Sequence, residues 1–211
     1  MNNLLAKQIA EQLLQIKAIK LEPTNHFTWA SGWHSPIYCD NRKTLSYPAV
    51  RSFIRDSFLQ KIEENNFDFD VIAGVATGAI AQGVLIAQSL GKPYVYVRPK
   101  PKEHGLGNQI EGFVEKGKKV LVIEDLVSTG GSSLSAVEAL REHGCEVVGM
   151  LAIFTYGFEK AAKSFAQANL NLITLSNYQA LLEIASETGF IDSNDIKLLE
   201  EWRKDPAKWK K

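Results

Sequence analysis

The 211-residue chain balances 24 Lys+Arg against 24 Asp+Glu, and 45% of its residues are hydrophobic. Zero net charge supplies no global field for nucleic acid or an anionic membrane surface, so any basic patch must be local. No apolar run approaches the ~20 residues of a membrane span, and Met1 to Lys7 lacks a signal-peptide layout, so the cytosol is the expected compartment.

The length suits one well-buried domain with an appendage rather than two domains: an N-terminal helix and hood over 1–48, a core over 49–175 and C-terminal helices over 176–211. Leu5, Ile9, Leu13 and Ile16 recur at helical spacing among polar residues and predict an amphipathic covering helix. From Glu22 to Pro48 the chain turns to Pro, Ser, Asn and aromatics, including the run Phe27 to Arg42. That reads either as a binding flap with short strands or as a hydrophobic hairpin covering a sheet edge. Val50, Phe53, Ile54, Phe58 and Ile62 mark a helix. Phe69 to Val75 is a core strand, followed by the small residues Ala76-Thr77-Gly78-Ala79 and a helix marked by Ile80, Val84, Leu85 and Leu90. Those small residues fit close approach of a ligand or close packing of helix on sheet equally well.

Pro93 to Val97 is the next strand. The segment from Arg98 to Phe113 then carries Arg98, Lys100, Lys102 and His104 between Gly105, Gly107 and Gly112. Connections this long are usually functional or disordered. Cations on a glycine-hinged loop suit a lid over a polyanion, although a basic run taken alone is more often a solvated surface.

Val120-Leu121-Val122-Ile123 suits a strand covered on both faces. Glu124-Asp125-Leu126-Val127-Ser128-Thr129-Gly130-Gly131-Ser132-Ser133 follows, then a helix from about Leu134. The hydroxyls and main-chain N–H groups of this loop, with the positive end of the helix, favour a phosphate. The adjacent carboxylates would repel a bare phosphate, so they face hydroxyls or a divalent cation on the same ligand, and together the parts describe a phosphorylated sugar. A glycine pair alone would fit an ordinary capped turn better; the complete run shifts the balance. Walker A and dinucleotide fingerprints are absent. Downstream, Glu146 to Phe154 and Leu170 to Leu175 read as strands around a helix from about Phe158 to Ala168, giving a doubly wound, mostly parallel sheet. The tail holds two amphipathic helices split near Gly189, with Trp202 and Trp209 as packing anchors. Cys39 and Cys145, without metal spacing, read as free thiols.

The run from Val120 to Ser133 resembles the 5-phosphoribosyl 1-diphosphate (PRPP) binding motif of the type I phosphoribosyltransferases. Together with Phe27 to Arg42 as the hood and Tyr96 to Gly112 as a catalytic loop, it is similar to the orotate phosphoribosyltransferase branch over nearly the whole chain. The resemblance implies that fold, a homodimer whose loop is shared across the interface, and Mg²⁺-dependent transfer of ribose 5-phosphate from PRPP to orotate. The products are orotidine 5′-monophosphate and diphosphate, on the route to UMP. Mg²⁺ is carried by PRPP, with no direct metal ligand from the protein.

Carried over by position, the resemblance implies PRPP contacts from Arg98, Lys102 and His104 and from Glu124, Asp125, Leu126, Val127, Ser128, Thr129, Gly130, Gly131 and Ser132. Thr129 to Ser132 hold the 5′-phosphate, Glu124 and Asp125 the ribose hydroxyls, and Ser128 lies near orotate. The catalytic set is Lys102, His104 and Asp125, with His104 either protonating or binding the leaving group. Ala30, Gly78, Pro99 and Tyr156 stand where the enterobacterial pattern has basic residues, and His34 or Lys100 are candidates to compensate.

Overall fold

The computed structural model describes residues 3–29, 32–99 and 109–209. In chain order the elements are α1 (Asn3–Gln15), β1 (Ile19–Leu21), β2 (Phe27–Thr28), β3 (His34–Ser35), β4 (Ile37–Cys39), a 3-10 helix (Asn41–Ser46) and α2 (Pro48–Glu64). The central part is β5 (Val71–Val75), α3 (Ile80–Leu90), β6 (Tyr94–Val97), β7 (Ile110–Glu111), β8 (Lys119–Val127) and α4 (Gly131–His143). It ends with β9 (Glu146–Thr155), α5 (Glu159–Gln167), β10 (Leu172–Asn177), α6 (Tyr178–Glu187) and α7 (Ser193–Lys204).

A sheet in the order β10-β9-β8-β5-β6-β7 forms the centre, parallel throughout except for β7, which runs antiparallel to β6. Successive strand residues point to opposite faces, and β8 feeds two cores in alternation. Val120 and Val122 pack in the core that includes Ala136, Val137 and Leu140 of α4 and Phe165 of α5. Leu121 and Ile123 belong to the core shared with α1, α2 and α3. This double burial is why β8 reads as an unbroken apolar run rather than an alternating one. The expected doubly wound α/β architecture is the observed one.

Two details differ from the sequence expectation. Strand β8 does not end at Ile123 but continues through the acidic pair to Val127, pairing Glu124 with Ala152 and Val127 with Thr155 of β9. Helix α3 also turns a different face inward. Gln82, Gly83, Ile86 and Ala87 are buried, whereas Val84 and Leu90 are exposed. The cause is Tyr94 of β6: its ring lies where a Cβ on Gly74 or Gly83 would have to be, and its hydroxyl donates to Ile80 O at 2.9 Å. Missing side chains at Gly74 and Gly83, together with Ile86 and Ala87 in the core, seat this helix on the sheet.

The hood is built from two small antiparallel pairs, β1 with β4 and β2 with β3, separate from the main sheet. The Trp202 indole of α7 donates to His34 O at 3.1 Å and so fastens the hood to the C-terminal helix.

Candidate functional site

Strand order reverses between β5 and β8, and open parallel sheets place ligands at such a point, beyond the carboxyl ends of the strands. There the loop after β5 (Val75, Ala76, Thr77, Gly78) and the end of β8 with its loop (Glu124 to Leu126, Ser128 to Ser132) enclose a cavity of about 300 Å³. Helix α4 starts on its rim. Gly130 is the N-cap with φ of 86°, and a Cβ there would press on the Phe165 ring at 3.0 Å, so both backbone and packing demand glycine. Gly131 has open space around its Cβ position. The first intrahelical bond is Leu134 N to Gly130 O, 2.9 Å. The preceding N–H groups of the first turn therefore remain for an anion, with the helix dipole behind them.

The acidic pair is held with little freedom. Glu124 is only 4% exposed. One of its carboxyl oxygens accepts from the Asp125 N–H at 2.9 Å and the other from the Ser133 hydroxyl at 2.8 Å. Burial, then the charge of Asp125, pushes its pKa up to about 8. Burial also raises the Asp125 carboxyl above the ordinary range. Glu124, the more deeply buried, keeps the proton. Asp125 lies against the β5 loop, and a side chain on Gly78 would need the space its carboxylate occupies.

A second cavity of about 230 Å³ adjoins the first, and Leu126 and Ser128 line both. Its other walls are Thr28, Trp29, Tyr38 and Cys39 of the hood and Tyr156 just after β9. Tyr156 packs its ring on Trp29 (centroids 5.1 Å) and Phe158 (5.4 Å), and burial drives its phenol pKa well up, so it is a neutral hydroxyl. The Cys39 thiol is likewise raised, by burial and then by Asp125 and Asp40, and stays protonated. A small cavity walled by Trp29, Tyr38 and Tyr156, with Thr28 and Ser128 among its lining residues, suits an aromatic heterocycle.

Of the residues singled out in the sequence, Glu124, Asp125, Leu126, Ser128, Thr129, Gly130, Gly131 and Ser132 all lie on the first cavity. Val127 does not: its side chain is buried in the α4 core and its carbonyl accepts from Thr155 Oγ1 at 3.0 Å. Arg98 is outside both cavity walls and pairs with Glu111 at 3.4 Å. Lys102 and His104, like Ala30 and Lys100, lie outside the described residues. Among the described residues no three or more His, Cys, Asp or Glu side chains converge on a metal position. One contributor was expected in a different role, and one was not read from the sequence. Ser133 turns its hydroxyl to Glu124 rather than to the phosphate loop. Asn41, 2% exposed, donates from Nδ2 to Asp125 O at 2.6 Å. No local pattern signals a bond that spans 84 residues.

The phosphoribosyl transferase domain family matches residues 45–178. An orotate phosphoribosyltransferase of Phocaeicola vulgatus is 60% identical over 205 residues, 97% of each chain. Among solved structures, orotate phosphoribosyltransferase from Aeropyrum pernix superposes with a TM-score of 0.75 at 29% identity, covering 87% of this chain and 99% of that one. Leishmania donovani UMP synthase gives 0.78 at 27%, covering 93% of this chain and 42% of that one. With a domain match over more than half its length and a relative this similar across nearly all of it, the chain belongs to the orotate phosphoribosyltransferase family.

Proposed function

We propose that the protein transfers ribose 5-phosphate from PRPP to orotate, releasing diphosphate and forming orotidine 5′-monophosphate. The observation that carries this reading is the pair of adjoining cavities at one switch point. One offers a helix N-terminus and two carboxyl groups; the other is an aromatic slot; Ser128 and Leu126 are common to both. A sugar anchored in the first by its 5′-phosphate presents its anomeric carbon toward the second.

Thr129 to Ser132 bind that phosphate through N–H groups and hydroxyls. Glu124 and Asp125, with one proton resident on Glu124, can donate and accept together, which suits two vicinal ribose hydroxyls. Breaking the bond to diphosphate leaves positive charge on the ribose ring, and the Asp125 carboxylate stabilises it in a water-poor site. The orotate ring nitrogen attacks the same carbon from the aromatic slot as the bond to diphosphate breaks, and its N–H proton passes to the departing diphosphate or to water; orotate arrives already as an anion, so no strong base is required. Ser128 is placed to hydrogen-bond to the base. Mg²⁺ would be carried by PRPP, with no direct ligand from the protein, and would neutralise the departing diphosphate, while Glu124 and Asp125 hold the sugar. The loop bearing Arg98, Lys102 and His104 supplies further positive charge and reaches the neighbouring subunit's site in a homodimer, with His104 protonating or binding the leaving group.

The chain then acts as one domain with the boundaries given above, in the cytosol. Among the described residues no helix is long and apolar enough to cross a membrane. A panel of orotate, uracil, adenine and hypoxanthine with PRPP and Mg²⁺ tests the reading through diphosphate release. Release with orotate alone is expected, and no release with orotate overturns it.

A further inference from the structure

The Asp125 peptide is gripped from both sides. Its N–H donates to Glu124, its immediate neighbour, while its carbonyl accepts from Asn41 of the hood at 2.6 Å. Strand β8 outruns β5, since their ladder ends at Ile123, and the carbonyl two residues on takes a side chain as partner. The Asn41 amide is itself oriented. Its Oδ1 accepts from the Cys39 thiol at 3.3 Å, which directs Nδ2 at Asp125, and its own carbonyl accepts from Thr44 Oγ1 at 2.6 Å. Cys39 is a wall of the aromatic slot and Asp125 a wall of the sugar cavity. The chain Cys39, Asn41, Asp125 therefore runs from one cavity to the other through a single buried amide.

We propose that Asn41 is a positioning residue for the sugar site: it fixes the Asp125 peptide, and hence its carboxylate over Gly78, and ties that geometry to the wall of the base slot. The inference rests on the reading of Asp125 as a ribose ligand. Asn41 touches no substrate; it acts through Asp125. A buried amide that donates to Asp125 O and accepts from the Cys39 thiol cannot be exchanged for its acid without losing the donor, because a carboxylate facing Asp125 O offers none. Charge and donor chemistry, not volume, should then decide the outcome.

The test is PRPP binding by calorimetry, together with kcat at saturating orotate, for Asn41→Ala, Asn41→Asp, Cys39→Ala and Thr44→Val. Asn41→Ala is expected to weaken PRPP about tenfold, the loss typical of one buried hydrogen bond. Asn41→Asp, although nearly isosteric, is expected to be worse than Asn41→Ala; a purely space-filling role predicts the reverse order. Cys39→Ala, which frees the amide to turn, should weaken PRPP about threefold despite lying in the other cavity. Thr44→Val removes only the main-chain tether and should lower the melting temperature with PRPP binding within about twofold of wild type. Unchanged PRPP affinity in both Asn41 variants, or equal weakening by Thr44→Val, overturns the proposal. If neither Asn41 variant gives a cooperative melt, Cys39→Ala decides, and unchanged PRPP affinity there sinks it. Wild-type protein that binds no PRPP would instead refute the underlying assignment of the sugar site, so the two failures are distinguishable.

Discussion

A side chain at position 78 has no room: even a methyl group there collides with the Asp125 carboxylate. The Asp125 carboxylate occupies the space that a side chain at this position would need. Gly78→Ala is therefore expected to push Asp125 off its position and weaken PRPP about tenfold or more, with melting shifted by only a few degrees because the site lies on a cavity wall. Calorimetry and a thermal melt on the same sample check both parts. Glu124 gives a residue-scale prediction of another kind. Its carboxyl is raised from 4.5 to about 8, chiefly by burial and next by the Asp125 charge. In the unfolded chain it ionises near its ordinary value, so the stability contributed by the neutral buried acid is complete below that value and is lost as pH rises through the folded pKa. Glu124→Gln is neutral at every pH and should abolish this slope. Melting of the wild type relative to the variant is expected to fall between about pH 4.5 and pH 8 and to level off above that, by on the order of 10 °C in all. Parallel curves for the two proteins would show that Glu124 ionises freely in the fold.

Elements were legible in the sequence where local pattern and tertiary demand agree. The β8 run reads as a strand because both of its faces are buried, and the helix expected from about Leu134 is present but begins three residues earlier, at Gly131, its first turn supplied by the glycine loop. Misreadings arose where a neighbour overrode the pattern. The end of β8 was hidden because two carboxyl groups look unlike a strand until the site that accommodates them is known. The buried face of α3 was hidden because Tyr94, on another element, claims the space above Gly74 and Gly83. Trp202 was correctly expected to be an anchor, but what it anchors could not be read locally. Its indole binds His34 O of the hood, and its ring meets Trp29 at 5.6 Å and Tyr156 at 5.9 Å, two walls of the aromatic slot. Trp202→Ala should cost about 3–5 kcal/mol of stability by opening a large cavity. Trp202→Phe keeps most of the packing and loses one hydrogen bond, for about 1 kcal/mol. Because α7 supports the slot rather than the sugar cavity, Trp202→Phe should raise KM for orotate more than KM for PRPP. A larger effect on PRPP would place the support elsewhere.

At the scale of the whole molecule, the two cavities arise from segments far apart in the chain: a hood before residue 48, a loop after β5, and the acidic strand with its phosphate loop. The glycine loop as a cavity wall was readable because all its parts are contiguous. The slot and the Asn41 bridge were not, since each depends on contacts that only the folded topology creates. The proposal that the basic loop serves the neighbouring site of a homodimer makes a quantitative demand. In a heterodimer of one Lys102→Ala chain and one Asp125→Asn chain, purified through two different affinity tags, sharing of the loop places both defects in one site and leaves the other intact. Such a heterodimer should retain about half the wild-type activity per dimer, while each homodimeric variant is nearly inactive. If each loop instead closes over its own subunit, every site carries one defect, and the heterodimer will be no more active than its parents. Lys102 should further act on the departing diphosphate rather than on ground-state binding of the base, so the Lys102→Ala homodimer should lose kcat while its affinity for orotate stays near wild type.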